Sequence, residues 1–245
     1  MNHTRSVPTD LIVALDQFRP EQALEWIEGL RDYPLIYKVG FELFMAGGPE
    51  LVRELVHRKK RVFLDLKFYD IPTTVAKAAR QAAMMHVEMF TLHLSGGRAM
   101  VKAVAQELQD IPALRPKVLG VTVLTSFDDV RWAEVTRALT GHAVDASQSV
   151  EGLIEHSPSW GADGIVCSAM ELKMLRAKYP LGPEGVYAVV PGIRPEGADL
   201  DDQARVMTPA QARNAGASAI VMGRPITQAS NPSAVVVRAL KDLGH

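Results

Sequence analysis

The chain has 245 residues, with 27 Lys and Arg against 28 Asp and Glu, a net charge of −1 and a mean hydropathy of +0.02. Balanced charge excludes the broad basic field that gathers nucleic acid or an anionic membrane, so any anion site must be local. A single cysteine, Cys167, excludes an internal disulfide framework and a multi-cysteine metal centre, and a polar start with no run near the ~18 apolar residues of a membrane span points to a cytoplasmic chain without a membrane partner.

After a polar tail over residues 1–10, Leu11 to Leu15 reads as a strand ended by Asp16, followed by a helix from Pro20 to about Leu30 with Ala23, Leu24 and Ile27 on one face. Ile36 to Gly40 is the second strand. Its helix is expected from Pro49, a good first-turn residue, to Arg58. Val62 to Lys67 and the alanine-rich Thr73 to Met85 form the third pair, and Met89 to His93 with Gly97 to Leu108 the fourth. Val118 to Leu124 opens the fifth, with a polar passage containing a helix over Val130 to Leu139 before the helix Val150 to Trp160. Gly164 to Cys167 and Ala169 to Lys178 are the sixth pair. Val186 to Val190 is the seventh strand, separated from the helix Pro209 to Ala215 by a long loop, Pro191 to Met207. Ala219 to Met222 and Pro232 to Leu243 complete the series.

Parallel strands need a crossover helix and are covered on both faces, which is how short apolar runs alternating with amphipathic helices read. Eight such units predict an α/β fold closed into a single-domain (β/α)8 TIM barrel over residues 11–245, a normal size for one domain of that kind. A doubly wound open sheet is the alternative, weakened because no Gly-x-Gly-x-x-Gly follows the first strand.

In a barrel the reacting groups lie at the C-terminal strand ends. Asp16, Lys38, Asp65 with Lys67, His93, Thr122 with Thr125, Ser168 and Arg224 all fall there. Taken singly, Ser168, Thr122 and His93 are ordinary hydrogen-bonding residues where strands re-enter water. Asp65 and Lys67 differ: alternation puts both on one face of an apolar strand, with Asp70 one short step later, and charges are rarely buried there unless paired or used. Gly223-Arg224 after the last strand reads as a phosphate site, because a glycine permits close backbone approach, a helix start offers N–H donors and Arg224 adds a planar fork. Arg194 joins it from the seventh loop, whose polar stretch to Gln203 is long enough to act as a lid. Trp26, Trp132, Trp160 and the Met84-Met85 pair read as packing residues. The basic run Arg58 to Arg61 reads as a solvated loop at the opposite end of the barrel.

A lysine flanked by carboxylates is favoured as an ammonium, which suits a fixed charge and proton donor better than an imine-forming amine. Ammonium groups from Lys38 and Lys67 also stand where a metal would need oxygen ligands. The residues therefore favour making and protonating a carbanion without metal or cofactor, and decarboxylation beside Asp65 fits that description.

The decamer Asp65-Leu66-Lys67-Phe68-Tyr69-Asp70-Ile71-Pro72-Thr73-Thr74 resembles the signature of the orotidine 5′-phosphate decarboxylase family, and the likeness extends through Leu15-Asp16, Tyr37-Lys38-Val39-Gly40, Leu124-Thr125-Ser126, Pro191-Gly192-Ile193-Arg194 and Gly223-Arg224. It implies a cofactor-free homodimeric barrel that releases CO2 from orotidine 5′-monophosphate to give UMP, the last step of de novo pyrimidine synthesis. By the resemblance, Asp16 and Lys38 contact ribose and the charge network, Asp65 faces the substrate carboxylate and Lys67 donates the proton. Asp70, Ile71 and Thr74 reach the neighbouring subunit's site, Thr125 touches the pyrimidine, and Arg194, Gln203, Gly223 and Arg224 close on the phosphate. The likeness also covers the fourth-strand end, where His93 is kept as a residue behind the reacting groups.

Sister barrels that decarboxylate 3-keto-L-gulonate 6-phosphate or condense formaldehyde with a pentulose phosphate share an Asp-x-Lys-x-x-Asp third strand. They use magnesium and an acidic residue where this chain has Lys38, which makes them the rival reading. A non-catalytic phosphate sensor would not require Lys38, Asp65, Lys67 and Asp70 together.

Overall fold

The computed structural model describes residues 8–182, 185–195 and 207–245. Eight strands, β1 (Asp10–Ala14), β2 (Leu35–Val39), β3 (Arg61–Phe68), β4 (Met89–His93), β5 (Lys117–Val121), β6 (Gly164–Val166), β7 (Tyr187–Val190) and β8 (Ala219–Met222), close into a barrel in sequence order. Every neighbouring pair is parallel, and β1 closes the ring on β8 through Leu11 opposite Ile220 and Ile12 opposite Val221. The helices are α1 (Pro20–Trp26), α2 (Phe41–His57), α3 (Pro72–Met84), α4 (Gly97–Gln109), α5 (Asp129–Thr140), α6 (Ala146–Trp160), α7 (Ala169–Lys178), α8 (Pro209–Ala215), α9 (Arg224–Thr227) and α10 (Pro232–Leu243).

Alternation along each strand divides the core in two. Ile12, Ile36, Phe63, Met89, Leu119, Val189 and Val221 fill the barrel interior. Their sequence neighbours, among them Val13, Tyr37, Leu64, Phe90 and Ile220, pack outward against the helices. Each fully buried side chain of this size contributes roughly 1.5–3 kcal/mol through removal of apolar surface from water. Tyr37 is buried in the outer layer, and its hydroxyl has no hydrogen-bond partner there. In α3, Pro72 supplies a preset first turn, and Val75, Ala76, Ala79, Ala82 and Ala83 form a buried face of small side chains packed beside α4.

Three expectations need correction. The helix expected from Pro49 is present but is preceded by a further helical segment from Phe41: Gly48, at φ 60°, breaks α2 between the two, Pro49 restarts it, and the buried Leu43 anchors the first segment. The fifth strand ends at Val121, earlier than Leu124, because its partner β6 pairs only with Leu119, Gly120 and Val121. Arg61 does not sit in a solvated loop. It opens β3, and its guanidinium binds Asp10 (Nη1 to Oδ1, 2.7 Å) and Glu88 (Nε to Oε2, 2.6 Å; Nη2 to Oε1, 2.7 Å). Tyr187 donates its hydroxyl to Asp10 (2.7 Å), and the Lys117 ammonium lies 5.2 Å from the Tyr187 ring centre. Asp10, Arg61, Lys117 and Tyr187 are the first residues of β1, β3, β5 and β7, so alternate strands floor the N-terminal mouth with a charged layer.

Trp26, Trp132 and Trp160 pack at the edge of the core, as expected of them. Of the methionine pair only Met85 is buried; Met84 is exposed. Thr9 belongs to the barrel too, its hydroxyl bonding Ala217 O at 2.9 Å. Cys167 is free and buried, and among the described residues no helix is long and apolar enough to cross a membrane.

Candidate active site

The C-terminal mouth of the barrel gathers four charged side chains from three adjacent strands. Asp16 follows β1, Lys38 ends the inward row of β2, and Asp65 and Lys67 come from β3. Lys38 Nζ lies 2.7 and 2.8 Å from the two oxygens of Asp16 and 3.6 Å from Asp65 Oδ2. Lys67 Nζ lies 2.9 Å from Asp65 Oδ1. The result is an alternating row, carboxylate, ammonium, carboxylate, ammonium. Lys38 is only 8% exposed, so its charge is tolerable only because two carboxylates face it.

Burial of Asp65 by itself raises its pKa; the charges of Lys38 and Lys67, with hydrogen bonds from Lys67 and Thr91, outweigh that and hold the carboxyl below the usual aspartate value. A carboxylate kept charged in a confined site is a fixed field that cannot relax when a ligand arrives.

Both β3 charges point inward, as alternation predicts, but the strand is not regular. Leu64 pairs with Phe90 and Phe68 with Leu92, so a bulge lies between them, and Lys67 adopts φ 43° within it. Gly40, just past β2, permits the Asp16–Lys38 contact: a Cβ there would sit 2.5 Å from Asp16 Oδ1 and 3.0 Å from Lys38 Nζ. The exposed ring of Phe41 stands 5.9 Å from Lys67 Nζ and walls one side of the mouth.

The other expected residues fall around this row. Asp70, Ile71 and Thr74 are exposed at the start of α3, with Asp70 Oδ1 accepting the Ile71 N–H at 2.6 Å. Thr125 is exposed beyond β5. Arg194 is buried beyond β7, its backbone N–H bonding Met207 O at 3.0 Å. Gly223 and Arg224 follow β8, and Arg224 begins the short α9. Gln203 lies outside the described residues. Ser168 caps α7 reciprocally with Glu171, an ordinary helix-start role. His93 ends β4 with its ring edge-on to Tyr69 at 5.8 Å; burial, then the charge of Lys67, lowers its pKa, while Asp65 opposes that shift.

Thr91 joins the site although no motif in the sequence marks it. It is fully buried on β4, and its hydroxyl touches both Asp65 and the Lys67 backbone. The one available signal was its inward position two residues before His93.

A family model described as "Orotidine 5'-phosphate decarboxylase / HUMPS family" matches residues 9–239. The chain belongs to this family. Within the orotidine 5′-phosphate decarboxylase / HUMPS family, it is 44% identical over 241 residues to the orotidine 5′-phosphate decarboxylase of Marinomonas sp. (strain MWYL1), covering 98% of each chain. It is 45% identical over 226 residues to that of Aliivibrio fischeri (strain MJ11), covering 92% of this chain and 93% of the relative. The crystal structure of orotidine 5′-phosphate decarboxylase from Lactobacillus acidophilus superposes with a TM-score of 0.81 at 34% identity, covering 97% of this chain and all of that one (100%). The Pyrococcus horikoshii OT3 structure, at 21% identity and a TM-score of 0.74, shares the fold.

Proposed function

We propose that this chain decarboxylates orotidine 5′-monophosphate to UMP and CO2, the final step of de novo pyrimidine nucleotide synthesis, without metal or cofactor. The observation that carries the reading is the alternating Asp16–Lys38–Asp65–Lys67 row at the barrel mouth. The substrate carboxylate sits against Asp65, where like charge disfavours the reactant relative to a transition state whose charge moves onto the ring. The C6–carboxylate bond breaks heterolytically, CO2 leaves, and the electron pair stays on C6. Lys67 then transfers an ammonium proton to C6 and regains it from solvent. Lys38 and Asp16 hold the ribose and keep the row aligned, Thr125 borders the pyrimidine, and Arg194, Gln203, Gly223 and Arg224 take the phosphate. Phosphate binding remote from the reacting carbon supplies energy that is realised at the transition state.

The active form is a homodimer in which Asp70, Ile71 and Thr74 complete the neighbour's site. Exposure supports this: Tyr69 (61%) and Ile71 (64%) present apolar surface just past β3, and Phe41 and Met45 at the start of α2 are exposed as well.

The test follows the ultraviolet absorbance of orotidine 5′-monophosphate with wild type and Lys67→Ala. Wild type converts it to UMP, and loss of the proton donor lowers the rate by about 10^3-fold or more, given what positioned proton transfer contributes. Absence of wild-type turnover, or full turnover by the variant, overturns the reading.

A further inference from the structure

The registers of β3 and β4 leave Asp65, Leu66 and Lys67 opposite a single residue, Thr91. Such a bulge removes ladder partners from the backbone it displaces. Lys67 also sits at φ 43°, a left-handed conformation that a residue with a side chain keeps only where its surroundings impose it. What meets this displaced backbone is one hydroxyl. Lys67 N–H donates to Thr91 Oγ1 at 2.8 Å, and Thr91 Oγ1 donates to Asp65 Oδ1 at 2.9 Å. That carboxylate oxygen also receives Lys67 Nζ at 2.9 Å. The hydroxyl has one proton and two lone pairs, and both functions are engaged at once. The ring of contacts runs from the Lys67 amide through Thr91 to Asp65 and back to the Lys67 ammonium.

We propose that Thr91 is a positioning residue for the decarboxylation: its hydroxyl substitutes for the missing ladder acceptor at Lys67 and orients the Asp65 carboxylate, fixing the proton donor relative to the reacting carbon. Thr91 does not touch the substrate and acts through Asp65 and Lys67. Its 0% exposure removes competition from water for either bond. Valine has the same shape without the hydroxyl, while serine keeps the hydroxyl and loses the methyl, so the two substitutions separate hydrogen bonding from packing.

The kinetic arm rests on the decarboxylase reading; a second arm does not. In Thr91→Val, kcat for orotidine 5′-monophosphate falls about 10- to 100-fold, as expected on losing a hydrogen bond to a charged group at the reacting centre, while KM stays within about threefold. Thr91→Ser stays within about threefold of wild type in both. Independently of turnover, hydrogen exchange of the Lys67 backbone amide, read by NMR, speeds up about tenfold or more in Thr91→Val and not in Thr91→Ser. Circular dichroism establishes that each variant folds, and if the valine variant does not, Thr91→Ala is scored by the same criteria. Wild-type kcat in Thr91→Val, equal losses in the valine and serine variants, or an unchanged Lys67 amide overturns this inference alone. A wild-type chain without turnover overturns the decarboxylase reading instead.

Discussion

Asp65 and Lys67 form a 2.9 Å ion pair although they are only two residues apart on the same strand. On a regular strand, side chains at i and i+2 share a face but stand nearly 7 Å apart at their origins. The pair closes at the barrel mouth within the β3 bulge, where Lys67 adopts a left-handed backbone. Strain is thus concentrated at the point where charge is handled, and the core of Phe63 and Leu64 directly before it holds the strand in place.

The lowered pKa of Asp65 makes a stability prediction with a definite sign. A carboxyl whose folded pKa lies below its unfolded value contributes stability that is fully present above about pH 3.9, the ordinary aspartate value, and is lost as pH falls through the folded value. Urea unfolding of wild type and Asp65→Asn between pH 7 and pH 2.5 is expected to show the wild-type curve falling more steeply below about pH 4. Parallel curves would show that Asp65 does not have a lowered pKa in the folded chain.

Gly40→Ala is expected to damage activity without damaging the fold. The Gly40 backbone, at φ −93°, accepts alanine, but the added Cβ would come within 2.5 Å of Asp16 Oδ1. Asp16 is partly exposed and can swing aside while Lys38 keeps Asp65, so the chain still folds, with a stability loss of about 1–3 kcal/mol for loosening one carboxylate from a nearly buried ammonium. Displacing it by about an ångström lowers kcat/KM about 10- to 100-fold. Unchanged kcat/KM would mean that the Asp16–Lys38 geometry is not critical.

Strand and helix order, the closed barrel and the Asp16–Lys38–Asp65–Lys67 grouping were all legible, because alternation on β-strands and the 3.6-residue helix period leave direct marks in the sequence. Thr91 and Arg61 were not. Thr91 matters because a bulge presents it to Lys67, and a bulge changes register without any distinctive residue type. Arg61 looked like the end of a basic run, yet its partners Asp10 and Glu88 lie 51 and 27 residues away. The turn at Phe41 was missed because Gly40 starts that helix without a side-chain cap.

Arg61→Met should separate stability from catalysis. The charged floor it joins lies at the end of the barrel opposite the reacting groups, where side chains serve the fold. Removing the guanidinium leaves Asp10 with Tyr187 and Glu88 with the more distant Lys117 ammonium at 3.8 Å. Because the Arg61 side chain is 41% exposed, solvent screening reduces the loss to about 1–2 kcal/mol, below the value for a fully buried pair. Chemical denaturation should register that loss while kcat remains within about twofold of wild type. A large fall in kcat at unchanged stability would contradict this division of labour.

The shared-site dimer makes a quantitative prediction. In the proposed two-fold dimer each site would take Lys67 from one chain and Asp70 from the other. Lys67→Ala and Asp70→Ala homodimers each carry two defective sites. In a mixed dimer both lesions fall in one site, and the other combines the intact Lys67 of one chain with the intact Asp70 of its partner. Random mixing makes about half the dimers mixed, each with one intact site, so activity rises to about a quarter of wild type. If Asp70 acted within its own chain, every site would carry one lesion, and mixing would give only the average of the two parents. Unfolding and refolding the chains together, with mixed dimers verified by differential tagging, distinguishes the outcomes, because the within-chain arrangement predicts no gain.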